Sequence, residues 1–124
     1  MAVEFQAPRM GEPLRVIFLG ASTSGWFDAT GEARRNEILP RMKALFAEWE
    51  EMGAKCLATV DDDLFMVGQP GSPDFTWYLI MDVPSAETVA AMINLVRKDR
   101  DGMRLDQVMR LEAKLGRPFF LLEP

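Results

Sequence analysis

The sequence predicts an α+β domain with two helices on one face of a four-stranded antiparallel sheet, in the order βαββαβ. Three observations carry this expectation. Two segments repeat their apolar residues at helical period, and short β-branched and aromatic runs stand between them. The strand-like runs are bounded by Pro, Gly, Ser and Asp. The chain has 124 residues, 48% of them hydrophobic, which suits one core.

Taken in order, "LRVIFL", Leu14 to Leu19, follows Pro13 and reads as the first strand. Residues 1–13 carry Glu4 early and hold no continuous apolar core, so they are expected to form a flexible arm and not a signal peptide. From Gly31 the period changes: Ile38, Leu39, Met42, Leu45, Phe46 and Trp49 recur at helical spacing. Thr30 is the expected cap of this helix and Gly53 its stop, while Pro40 should kink it or begin a second segment. "AKCLATV", Ala54 to Val60, reads as the second strand, and "DDDLFMVGQPGSPD" as a short extended piece, Leu64 to Val67, leading into a Gly/Pro turn. "FTWYLIMDV", Phe75 to Val83, is the clearest strand. Ser85 should cap a second helix with a Val89, Met92, Ile93 and Val96 stripe, ended by Gly102.

The last segment, "MRLDQVMRLEAKLGRPFFLLEP", fits two periods. Leu105, Val108, Met109 and Leu115 suit a helix, whereas Met103, Leu105, Met109 and Leu111 suit a strand. Element order decides: β-α-β-β-α wants a closing strand, which gives the split βαβ, ferredoxin-like arrangement. That strand is placed at about Arg104 to Ala113, in a domain running from 14 to 124.

Charge and composition exclude several functions. The net charge is −5 and the basic residues are dispersed, which argues against nucleic acid or an anionic membrane as partner. No run reaches the roughly 20 apolar residues of a membrane helix. Cys56 is the only cysteine, so no intrachain disulfide forms, and a reducing, cytoplasmic location is expected. The chain has no histidine, which rules out Ser-His-Asp triads, histidine acid/base catalysis and the usual zinc and haem ligation.

Two motifs invite chemistry. "GASTSG", Gly20 to Gly25, has neither the glycine spacing of a dinucleotide turn nor that of a nucleophile elbow, so a polar connection is the better reading. Trp26 and Phe27 on that loop are placed to close over a flat ligand. "DDD", Asp61 to Asp63, lacks the spacing of a calcium loop and reads first as a solvated turn. No metal or other cofactor is expected.

Strand alternation sorts the rest. Leu14, Val16, Phe18, Leu79 and Met81 belong to the helix side. The opposite parity holds Ile17, Leu19, Leu57, Ile80 and Val108 beside Arg15, Lys55, Thr59, Asp61, Tyr78, Asp82, Arg110 and Glu112. So many apolar groups would not stay wet in one patch, and a second copy packed sheet to sheet is the expected cover. Arg110 and Glu112 share one face of the last strand. Paired, they make a structural ion pair; unpaired, Arg110 is a carboxylate anchor and Glu112 a general base in an apolar cavity.

"FLGASTSGWF", "ATVDDDLFMVG", "TWYLIMDV" and "RLEAKLGRPFF" together resemble the dimeric α/β-barrel proteins of the ferredoxin-like superfamily. They are similar in particular to the IacB-type family, small proteins encoded in bacterial indole-3-acetic acid degradation clusters. The resemblance runs from Leu14 to Pro124 and implies a homodimer with a cavity between sheet and helices. It carries no catalytic signature.

Two functions stay open on this reading. In one, the protein binds an indole-acetate-type aromatic acid and acts on it by cofactor-independent chemistry. Trp26 and Tyr78 would then pack on the ring, Arg110 would take the carboxylate with Thr59 and Asp82 nearby, and Glu112 or Asp61 would move a proton. In the other, it is a non-catalytic ligand-binding or interaction module whose sheet face is mainly dimer interface.

Overall fold

The computed structural model describes residues 14–64, 67–68 and 75–122. The expected N-terminal arm lies outside them, as do the middle of the extended piece after Asp63 and most of the Gly/Pro turn. Four strands form one antiparallel sheet: β1 (Leu14–Ser22), β2 (Lys55–Asp61), β3 (Trp77–Val83) and β4 (Met109–Gly116), in the spatial order β2-β3-β1-β4. This α+β architecture is compatible with a ferredoxin-like arrangement.

Between β1 and β2 the chain forms one helical turn, α1 (Ser24–Asp28), and then a helix in three parts. Thr30 accepts a hydrogen bond from the Ala33 amide at 3.0 Å and so starts α2 (Gly31–Ala33), as the cap signal predicts. A π-helical stretch, Arg34–Ile38, follows, and then α3 (Leu39–Glu51). Pro40 explains the wide turn. It has no N–H to donate to the Asn36 carbonyl and its ring crowds that oxygen, so the helix widens and the Leu39 amide bonds to Arg34. A second helical segment thus begins at Leu39 with Pro40 in its first turn, which is one of the two outcomes expected for this proline. Gly53, at φ 97°, stops α3. Ser85 caps α4 (Ala86–Arg97) through the Thr88 amide at 3.2 Å.

Both long helices cover the face that carries Leu14, Val16 and Phe18. Trp49 fills the centre: its ring lies 4.8 Å from that of Phe18, and its indole N–H donates to the Met92 carbonyl at 3.1 Å. Leu45, Val89, Met92 and Val96 close the layer from α3 and α4, with Met81, Val83 and Met109 beneath. Each such fully buried side chain contributes about 1.5–3 kcal/mol of transfer free energy.

The second half departs from the sequence expectation in two places. α4 ends at Arg97, before Gly102. The chain then reverses through Asp101 and Gly102, at φ 56° and 79°, between the reciprocally bonded Arg100 and Met103. Asp-Gly with both φ values positive is the chemistry of a type I′ turn. The last strand starts at Met109 instead of about Arg104, because Leu105–Gln107 form a 3-10 turn. That turn carries Val108 into the core and removes it from the open face where alternation placed it.

Candidate functional site

Among the described residues no helix covers the second face of the sheet, and the strand register lays its residues out in cross-strand rows. Val60, Tyr78, Leu19 and Glu112 form one row; Ala58, Ile80, Ile17 and Lys114 the next; Lys55, Asp82, Arg15 and Gly116 the third. The centre is therefore apolar and its borders are charged. Ile17, Leu19, Tyr78 and Ile80 are only partly exposed, whereas Val60 at the edge is 53% exposed. At one end Arg15 donates to Asp82 at 2.7 Å, which ties up the carboxylate expected to touch substrate. At the other, Arg110 donates to Glu112 at 2.7 Å. Its guanidinium also stacks over the Phe75 ring at 4.9 Å.

A β-bulge between Cys56 and Ala58 changes which acidic residue reaches this face. Up to Cys56 the alternation of β2 is as read from the sequence. The extra residue then shifts the phase, so Thr59 pairs with Leu79 and Asp61 with Trp77, at helix-side parity. Neither residue meets Tyr78. Its partner is Asp62, which accepts from the phenol at 3.1 Å, while the same hydroxyl lies 3.1 Å from the Phe75 carbonyl. Sequence reasoning missed Asp62, since nothing in "KCLATVDDD" signals the bulge.

Partial burial raises the Tyr78 hydroxyl above its ordinary value, and the hydrogen bond to Asp62 and that carboxylate's charge raise it further. Tyr78 thus stays protonated near neutral pH and donates instead of accepting. Glu112 is engaged by Arg110. The cluster presents a guanidinium and two aromatic rings, Phe75 and the Tyr78 phenol, which suits holding a ligand better than moving a proton.

Trp26 does not join this cluster. It packs against the helix-side core, with the Arg34 guanidinium over its ring at 5.4 Å and Arg34 Nε donating to its carbonyl at 2.9 Å. The glycines of "GASTSG" have packing roles. A β-carbon on Gly20 would sit 2.0 Å from the Trp77 ring, and one on Gly25 would sit 2.0 Å from the Gln107 carbonyl. Thr23 fastens the same loop, donating from its amide to Val108 O at 3.1 Å and from its hydroxyl to Gln107 O at 2.7 Å. The turn is shaped by backbone contact.

Two cavities open on the described surface, the first of them sharing Arg110 with the sheet-face cluster. One, of about 330 Å³, is lined by Thr23, Ile93, Arg97, Asp106, Met109 and Arg110 among others. The other, of about 470 Å³, lies between α3 and the 98–105 segment. No described helix is long and apolar enough to cross a membrane. Among the described residues no group of three or more Cys, Asp or Glu is arranged to hold a metal ion. No protein-family model, curated protein or solved structure matches the chain, so the meaning of the sheet-face cluster rests on its own geometry.

Proposed function

We propose that the chain acts as a homodimer, closed sheet face to sheet face as a dimeric α/β barrel, that binds small aromatic acids of the indole-acetate type in the breakdown of aromatic compounds. One observation carries the reading: the apolar band of Ile17, Leu19, Tyr78 and Ile80 has no helix over it among the described residues and is bracketed by the Arg15–Asp82 and Arg110–Glu112 pairs. A two-fold related copy would cover the band and set the charged borders against each other. Arg110, Phe75 and Tyr78 at one border supply a cation and two ring faces, which match an aromatic carboxylate. The resemblance noted above supports the same ligand class.

Since Glu112 is engaged by Arg110 and Tyr78 keeps its proton, binding takes precedence over proton transfer in this reading. Sedimentation of the full chain tests the assembly. A dimer that Leu19→Asp converts into a folded monomer is expected; a wild-type monomer at about 100 µM overturns it, because even small specific interfaces associate there. Calorimetry with indole-3-acetate and indole-3-acetamide tests the ligand. The acid should bind about tenfold tighter than the amide, and Arg110→Ala should erase that preference.

A further inference from the structure

We infer that the cavity between α3 and the 98–105 segment is a second, separate binding site, and that it takes an amphipathic monocarboxylate: one carboxylate on an alkyl or aryl body. Its volume, about 470 Å³, falls in the range of small-molecule pockets. The floor is apolar, made by Leu45, Leu95, Met103 and Leu105. The rim carries three cations, Arg41, Lys98 and Arg100, against two carboxylates, Glu37 and Asp101. Glu48 stands behind Arg100, so the rim is charge-balanced, and Arg100–Glu48 and Arg41–Asp101 account for two of its three cations.

The rim is preformed. The Asp101–Gly102 turn holds Arg100 in place, and Arg41 Nη1 donates to the Arg100 carbonyl at 2.8 Å. Both terminal nitrogens of Arg100 grip the Glu48 carboxylate, one of them at 2.9 Å. That grip neutralises one cation. The Arg41 charge is only loosely paired: its Nη2 stands 3.8 Å from Asp101, whose side chain is 90% exposed. The Lys98 ammonium makes no ion pair or side-chain hydrogen bond among the described residues and acts on Glu48 only through its charge, so it is the one cation at the mouth with no direct partner. One such cation over an apolar floor matches one anionic group on an apolar body. A dianion would meet Glu37 and Asp101, and a neutral apolar molecule would leave Lys98 unused.

Part of the wall owes its shape to the wide turn at Arg34–Ile38, which contributes Asn36 and Glu37. Such turns recur at binding sites because they push side chains and a carbonyl out of helical register. None of these residues belongs to the sheet-face cluster, so this site stands or falls independently of the dimer.

The test is an amide-resolved NMR titration of the full chain with octanoate, with octanamide and acetate as controls. Octanoate should shift amides of 36–45 and 95–105 and bind about tenfold tighter than either control. Lys98→Met, at an exposed position, should abolish the preference over octanamide and leave octanamide binding unchanged. Ala44→Phe, also exposed, should fill the cavity and remove octanoate binding without altering the fold. Absent shifts, equal affinity for octanoate and octanamide, or an unaffected Lys98→Met variant would each overturn the proposal. Shifts confined to Tyr78, Phe75 and Arg110 would place the acid on the sheet face and overturn it as well.

Discussion

The two faces of the sheet follow the same alternation and meet opposite fates. On β1, Val16 and Phe18 are fully buried beneath the helices, while their neighbours Ile17 and Leu19 remain partly open on the far side. The residues are equally apolar, so the difference lies in what covers them. The helix face is completed within the chain by Trp49, Leu45 and Met92. Among the described residues no element completes the other face, whose borders are charged.

The largest effect should come from the closed face. Trp49→Ala removes the ring against Phe18 and leaves the Met92 carbonyl without its donor. A loss of about 3–5 kcal/mol is expected in denaturant unfolding. A loss under about 1 kcal/mol would mean the core repacks freely. Leu19→Asp sharpens the contrast from the other side. It should abolish the proposed self-association and cost the folded chain only about 1 kcal/mol, because Leu19 is already partly open to solvent.

The smallest effect lies at the rim of the helical layer. The Arg100 hydrogen bond holds the Glu48 carboxyl below its usual value of 4.5, with the charges of Arg100 and Lys98 acting in the same direction against partial burial. A lowered folded value means that ionisation favours the native state. This contribution is complete above about pH 4.5 and fades as the pH falls through the lowered value. Glu48→Gln should therefore cost about 0.5–1 kcal/mol at neutral pH, a partly exposed pair being worth little more. Its stability should then converge on that of the wild type in acid. Parallel curves across the whole range would show that the pair is not the source. Asp106, lowered by Arg104, has the same sign and should leave a residual slope in both proteins.

The helix-side half of this comparison was legible in the sequence, because packing repeats itself along a chain. The α3 and α4 stripes, the caps Thr30 and Ser85, the stop at Gly53 and the runs of β1 and β3 each follow from period or local chemistry. The open face was legible only where its strands are regular. Tyr78, Arg110 and Glu112 fall on it as alternation predicts, with Tyr78 and Glu112 in one row. Thr59 and Asp61 do not, since one extra residue in β2 reverses the parity of everything after it. The start of β4 was hidden for a different reason. Apolar residues from Met103 to Leu115 satisfy both periods, and the 3-10 turn at Leu105–Gln107 gives no signal of its own.

The placement of the aromatic residues divides the protein optically as well. All three tryptophans, Trp26, Trp49 and Trp77, lie in or against the helix-side core, whereas the single tyrosine, Tyr78, stands on the open face. Emission excited at the red edge, where only indole absorbs, reads the interior. The lone phenol, as a nitrated or fluorinated reporter, reads the other side. One polypeptide thus carries two spectroscopic channels that point in opposite directions.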